Sequence, residues 1–251
     1  GLKDRHAVAR QWISLPWPED RPLPPPRVLD QEGRLELLEA RRHPHKLRRG
    51  HVAANRFAVT LRDVPPGGLE RARASLERLR VVGLPNPFGP QRFGADGDNA
   101  DRARALLAGR TRRPRDRRIH RLLLSALQSE VFNRVLELRL ETALLTVALR
   151  GDRMVKHATG GQFLVEDAVL EQPRVDGLEI SPTGPMVGKK TPPTSGVAAE
   201  MEADALAAAG LDRETARRLG PGGRRPLRHP LDPAAHVAPA GPAAYRVHVS
   251  L

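Results

Sequence analysis

Few residues in this sequence are of a type and spacing that could do chemistry. Cysteine is absent, so thiolate catalysis and disulfides are excluded. The nine histidines are scattered; His43 and His45 are the closest pair, and the cations around them would repel a metal ion, so no metal site is expected. There is no Walker-type phosphate loop, no Gly-x-Gly-x-x-Gly after a strand, no His-Glu-x-x-His and no Gly-x-Ser-x-Gly. What remains is a carboxylate between two cations, Lys3-Asp4-Arg5, the pair Asn55 and Phe57, and Arg92 between Phe88 and Phe93 in a loop rich in Gly and Pro. An Asp near its reference pKa of ~3.9 is ionised at neutral pH and needs no elaborate activation. Taken alone, however, Asp4 reads as half of a surface ion pair worth little.

These side chains depend on the elements that carry them. Asn55 to Arg62 alternates, so Asn55, Phe57, Val59 and Leu61 project from one face of a strand, where a Phe is ordinarily core. Residues 9–15 alternate too and read as a strand fed by the charged turn before them. Leu69, Ala72, Leu76 and Leu79 recur at helical spacing, and Ile119 to Thr142 keeps that period for longer, with a break expected near Ser129. Residues 83–94 hold too much Gly and Pro for regular structure. Gly160-Gly161 and Gly184-Pro185-Met186-Val187-Gly188 read as turns, Phe163 to Val165 as a short strand, Val197 to Ala209 as a helix closed by Gly210, and Tyr245 to Leu251 as a strand. The order of these elements predicts an α+β fold. The missing initiator Met and the uncapped last strand lead us to expect further residues beyond both ends.

The 42 Lys and Arg against 29 Asp and Glu give a formal charge of +13, which attracts a polyanion, nucleic acid first among them. A coding bias toward Arg, Ala, Pro and Gly would produce the same excess. Basic runs at 41–49, 112–118 and 224–228 are candidate phosphate contacts. Aromatic residues make up only 3%, so any stacking surface for bases uses very few rings. No apolar run reaches the roughly 20 residues of a membrane span and no signal pattern opens the chain, so a soluble cytoplasmic protein without membrane association is expected.

Gly1-Leu2-Lys3-Asp4-Arg5-His6-Ala7-Val8-Ala9-Arg10-Gln11 resembles the signature Gly-x-Lys-Asp-x-x-Ala-x-Thr-x-Gln of the TruD family of tRNA pseudouridine synthases, with Ala9 in place of Thr. Asn55-Arg56-Phe57 resembles the family's Asn-x-Phe motif. Residues 83–94 resemble its Gly-x-x-Asn-x-Phe-Gly-x-Gln-Arg-Phe-Gly loop. Ser125 to Asn133 and Gly184 to Gly188 resemble further segments, in the same order.

This resemblance implies a pseudouridine-synthase catalytic domain with a mixed, largely antiparallel sheet, formed by 1–94 and 211–251, and a TruD-specific α/β insertion domain over 95–210. It implies an isomerase, an intramolecular transferase that converts uridine 13 of tRNA to pseudouridine without a cofactor; apart from the resemblance, a monomer is expected. Asp4 would be the catalytic aspartate, either nucleophile at ribose C1′ or base at C2′. Phe57 would stack on the flipped base, Asn55 would support the active-site loop, and Lys3, Arg5 and Arg92 would face substrate. The 83–94 loop has two readings, approach to substrate or pinning of a domain junction. The alternative for the whole chain is a non-catalytic basic RNA-binding module or an inactive fragment of such an enzyme.

Overall fold

The computed structural model describes residues 7–48, 55–241 and 244–250. The chain divides into two compact units, 1–55 and 56–251. The smaller unit has little regular structure. Strands β1 (Arg27–Val28) and β2 (Glu36–Leu37) pair antiparallel, and the Asp30 carboxylate closes their turn by accepting the Leu35 N–H at 2.9 Å. Arg42, from the basic run, donates to the carbonyls of Glu19 and Arg21 at 2.9 and 2.7 Å, so it staples two stretches of its own unit. The strand expected over residues 9–15 does not form. Trp12, Ile13 and Leu15 are exposed and, among the described residues, no neighbouring strand takes up the backbone N–H and C=O groups, and alternation without a partner does not make a sheet.

The larger unit begins with β3 (Arg56–Leu61) and α1 (Gly68–Val82), then β4 (Leu84–Pro85), a 3₁₀ turn (Pro90–Phe93) and α2 (Asn99–Leu107). The long α3 (Arg117–Glu141) follows, then β5 (Arg153–Lys156), β6 (Gln162–Leu164), α4 (Ala168–Asp176) and β7 (Ile180–Met186). The chain ends through α5 (Gly196–Ala208), α6 (Arg213–Arg217), β8 (Gly223–Pro226), β9 (Arg228–His229), β10 (His236–Gly241) and β11 (Ala244–Ser250). Every strand pairing among the described residues is antiparallel, and the fold is α+β as expected.

One sheet has the order β10-β11-β3, so the last strand of the chain returns to pair with β3, Val249 opposite Phe57 and Val247 opposite Val59. The apolar stripe of α1, Leu69, Ala72, Leu76 and Leu79, packs with Leu231, Val237, Tyr245 and Val247. A second sheet, β6-β5-β7-β8, is backed by α3, whose Leu127, Val131, Phe132 and Val135 are fully or almost fully buried. Asp116 caps the start of α3 by accepting the Arg118 N–H. The break expected near Ser129 is absent: α3 runs unbroken through it, and the buried Ser129 hydroxyl is satisfied within the helix by donating to the Ser125 carbonyl at 2.8 Å. At the far end, Arg139 pairs with Asp152 out of contact with water and ties α3 to the entry of β5.

Gly184 to Gly188 is not a turn in the structure. Its first three residues end β7, a central strand held between β5 and β8. Glycine is required at 184 by packing: a Cβ there would lie 2.8 Å from both Leu227 Cδ2 and Phe132 Cδ2. Both side chains are fully buried and have nowhere to move. We therefore expect Gly184→Ala to cost about 1 to 3 kcal/mol by overpacking, more than the ~0.4–1 kcal/mol gained from a stiffer unfolded chain. Urea unfolding checks this as a lower midpoint at an unchanged slope.

Candidate functional site

Three segments of the larger unit that are far apart in sequence meet around Phe88. The 83–94 loop is anchored by the β4–β9 pairing and by the Asn86 N–H, which donates to the Leu227 carbonyl at 2.9 Å. Asn133, on α3, then grips the loop backbone with both ends of its amide. Its Oδ1 accepts the Phe88 N–H at 2.8 Å and its Nδ2 donates to the Phe88 carbonyl at 2.9 Å. The Phe88 ring lies edge-on to Phe132 with centroids 5.4 Å apart, and Phe132 in turn sits over Gly184. Gln128 donates to the Val187 carbonyl at 2.7 Å, joining α3 to the end of β7. Two guanidinium groups complete the cluster. Arg225 lies 3.9 Å from the Phe88 centroid and 5.2 Å from that of Phe132, and Arg92 lies 5.0 Å from that of Phe88. Beside them, Phe88, Pro90, Phe93 and residues 94–97 line an open depression of about 580 Å³.

The polar side chains in this cluster orient one another. Arg225 can only donate, so the atom of Asn86 that receives it is Oδ1, and the Asn86 Nδ2 faces the other way. That Nδ2 donates to the Pro226 carbonyl at 2.8 Å and to His229 Nε2 at 3.1 Å. His229 must therefore accept at Nε2 and is neutral, with its proton on Nδ1. Burial, and then the Arg225 charge, push the His229 pKa down in agreement with a neutral ring. His157 lies 5.8 Å from His229, meets the Ser181 hydroxyl at 2.8 Å, and is also depressed by burial, with His229 and Arg228 adding to the effect.

Of the residues singled out from sequence, Arg92 lies in this cluster, reaching toward the Ser125 hydroxyl at 3.4 Å. Phe57 is elsewhere, on β3, and its ring is 49% exposed. Asn55 is exposed just ahead of that strand. Lys3, Asp4 and Arg5 lie outside the described residues. Within the 112–118 run, Arg112, Arg113, Arg115, Arg117 and Arg118 are all exposed at the start of α3, the end of a helix that disfavours cations. The 224–228 run is not one patch. The Arg224 side chain is fully buried on Glu202 and Thr183, and Arg228 is buried on the carbonyls of Val82 and Val175. Arg225 and Asn86 are the residues that sequence reasoning did not single out. Asn86 was visible within the loop motif, whereas nothing in the sequence separates Arg225 from its neighbours.

The two depressed histidines make stability depend on pH. The unfolded chain takes up these protons near the ordinary value of 6.5, the folded chain only at lower pH. Below 6.5 the unfolded state binds more protons, so stability is complete above that value and falls as pH drops through the window. Replacing His229 by Gln keeps an acceptor for Asn86 and removes the titration. Chemical unfolding across that pH range is expected to show a smaller acid loss for His229→Gln than for wild type, and an identical loss would contradict the assignment.

The family model for tRNA pseudouridine synthase D (TruD) matches residues 1–114 and 100–243. A tRNA pseudouridine synthase D of Anaeromyxobacter dehalogenans (strain 2CP-1) is 49% identical over 216 residues, 84% of this chain and 60% of that protein. One of Thermus thermophilus is 44% identical over 231 residues, 92% of this chain and 63% of that one. The chain thus spans about 60% of the length of these curated relatives. A solved structure from Methanosarcina mazei, described as a putative tRNA pseudouridine synthase D, superposes with a TM-score of 0.63 over 86% of this chain and 69% of that one, and at 18% identity it speaks for the fold alone. On the extent of the family match and the identity to these relatives, the chain belongs to the tRNA pseudouridine synthase D (TruD) family.

Proposed function

We propose that the protein isomerises a uridine of tRNA, position 13, to pseudouridine, with Asp4 as the essential carboxylate. The observation that carries this is family membership together with the Lys3-Asp4-Arg5 motif of the family's signature. The reaction breaks the bond from uracil N1 to ribose C1′, turns the base, and joins C5 to C1′. The proton leaves C5 and N1 ends protonated, so atoms and electrons balance without an oxidant, and no cofactor is called for. Asp4, ionised at neutral pH, serves either as nucleophile at C1′ or as base at C2′.

The target uridine has to leave its stack, and an extruded base needs a ring to lie on. Phe57 is our candidate, and its half-exposed side chain on a paired strand is rigid and accessible enough for that role. Asn55, two residues before it, supports the loop that carries the aspartate, with Lys3, Arg5 and Arg92 facing substrate. In the same reading, 1–94 and 211–251 make the catalytic domain, supported by the pairing of β11 with β3, and 95–210 is the insertion. Five exposed arginines lie at or just before the start of α3, and two of them, Arg117 and Arg118 in its first turn, carry an unfavourable interaction with the helix dipole that RNA phosphates would relieve. The protein would act on tRNA as a monomer in the cytoplasm. Among the described residues no helix is long and apolar enough to cross a membrane.

Asp4→Ala in the full-length protein is expected to abolish pseudouridine formation in a tRNA assay while leaving tRNA affinity within about tenfold, or ~1.4 kcal/mol. A variant that still converted uridine would overturn the assignment of Asp4. A wild type that binds tRNA and converts none of it would instead favour the non-catalytic RNA-binding reading suggested by the basic surface.

A further inference from the structure

Nearly every well-packed arginine of the larger unit has its charge answered by an acid or by carbonyl oxygens. Arg104 pairs with Glu130 at 2.7 Å, Arg139 with Asp152, Arg174 with Glu171 at 2.6 Å and Arg224 with Glu202 at 2.5 Å. Arg228 donates to two carbonyls at 2.5 and 2.6 Å. Arg92 and Arg225 differ. Arg225 reaches a neutral amide oxygen on Asn86, Arg92 makes one long hydrogen bond of 3.4 Å to Ser125, and neither forms an ion pair among the described residues.

The two unanswered charges share one ring. At 5.0 and 3.9 Å from the Phe88 centroid, their guanidinium carbons are no farther apart than the sum of those distances. Both side chains are partly buried, where like charges are screened less than at an open surface. Each is the other's unfavourable neighbour, and the Arg92 charge adds to burial in pushing the Arg225 pKa down. Arginine nonetheless stays ionised in proteins. Two close cations on a rigid support are stabilised by an anion that both can reach. The support here is rigid because Asn133 holds the Phe88 backbone from both sides and Asn86 holds Arg225, so little conformational freedom remains to be lost on binding.

We propose that Arg92 and Arg225 together grip backbone phosphate of the RNA substrate, with Phe88 as the ring that both pack against, and that Arg224 and Arg228 of the same basic run make no RNA contact. The inference rests on the proposed tRNA-modifying function and adds to it a place where the RNA backbone is held. Planar guanidinium forks suit phosphate oxygens and carry no sequence preference, so the grip positions the RNA and does not select it. It also joins the two readings of the 83–94 loop, since Asn86, which helps pin the loop, also holds Arg225, and Phe88, which Asn133 clasps, has both guanidinium groups against its ring.

The test is the salt dependence of tRNA affinity in the full-length protein, for wild type, Arg92→Gln, Arg225→Gln, the double variant and Arg225→Lys. Loss of one phosphate contact flattens the slope of log affinity against log salt by about 0.7 to 0.9. The double variant is expected to show at least that change, with tRNA binding weakened several-fold at low salt, and Arg225→Lys is expected to keep most of the slope. Unchanged slopes in variants with a wild-type melting temperature would overturn the proposal. Should Arg225→Gln disturb the loop, Arg92→Gln decides alone, because that side chain makes a single long hydrogen bond. Flattened slopes in a protein that converts no uridine would support the grip and sink the catalytic reading. Conversion with slopes left intact would do the reverse.

Discussion

The larger unit depends on the fit of one aromatic ring over one glycine. Phe132 on α3 lies against the backbone of β7 at Gly184, in a space that would not admit a single additional carbon. That contact sets how closely the long helix approaches the β6-β5-β7-β8 sheet, and the same ring meets Phe88 edge-on. The 83–94 loop is consequently positioned by the core. Its polar clasp, Asn133 on the Phe88 backbone and Asn86 on Arg225, adds directionality to a placement that packing has already made.

This arrangement explains why a segment so rich in Gly and Pro is ordered. A loop of that composition has few side chains to bury, and buried backbone groups must find partners or cost free energy. Asn86 N–H and both polar groups of the Phe88 backbone are met by partners on other elements. The cations then sit on a surface held by hydrogen bonds to other elements, which suits a contact that fixes the position of a substrate more than its identity.

The sequence alone revealed elements whose signal is local. The helical period of α3 and the alternation in β3 and β11 are carried by neighbouring residues, and those elements are present. It misled where the deciding partner is distant. Gly184-Pro185-Met186 has the residues of a turn, and what makes it a strand is its pairing with β8, Gly184 opposite Arg225 and Met186 opposite Gly223. Residues 9–15 have the alternation of a strand and, among the described residues, no neighbour to pair with. α2 went unread because its buried face is only Asn99, Ala100 and Ala103, and α4 because Pro173 interrupts its pattern. In the 224–228 run, three arginines look alike in sequence, and only their distant partners, Glu202, Asn86 and the Val82 and Val175 carbonyls, separate structural charges from an available one. Arg92 was legible through its motif. Asp4, Lys3 and Arg5 rest on their motif too, outside the described residues, and Phe57 and Asn55 stand exposed, so their roles rest on chemistry still to be tested.

The most direct measurement is a crystal structure of the full-length protein with its tRNA substrate bound, read for the distance between the Asp4 carboxylate and the Phe57 ring. A single extruded nucleoside is expected between them, its base against Phe57 and its ribose C1′ or C2′ at Asp4. The two groups lying farther apart than one nucleoside can span would contradict it.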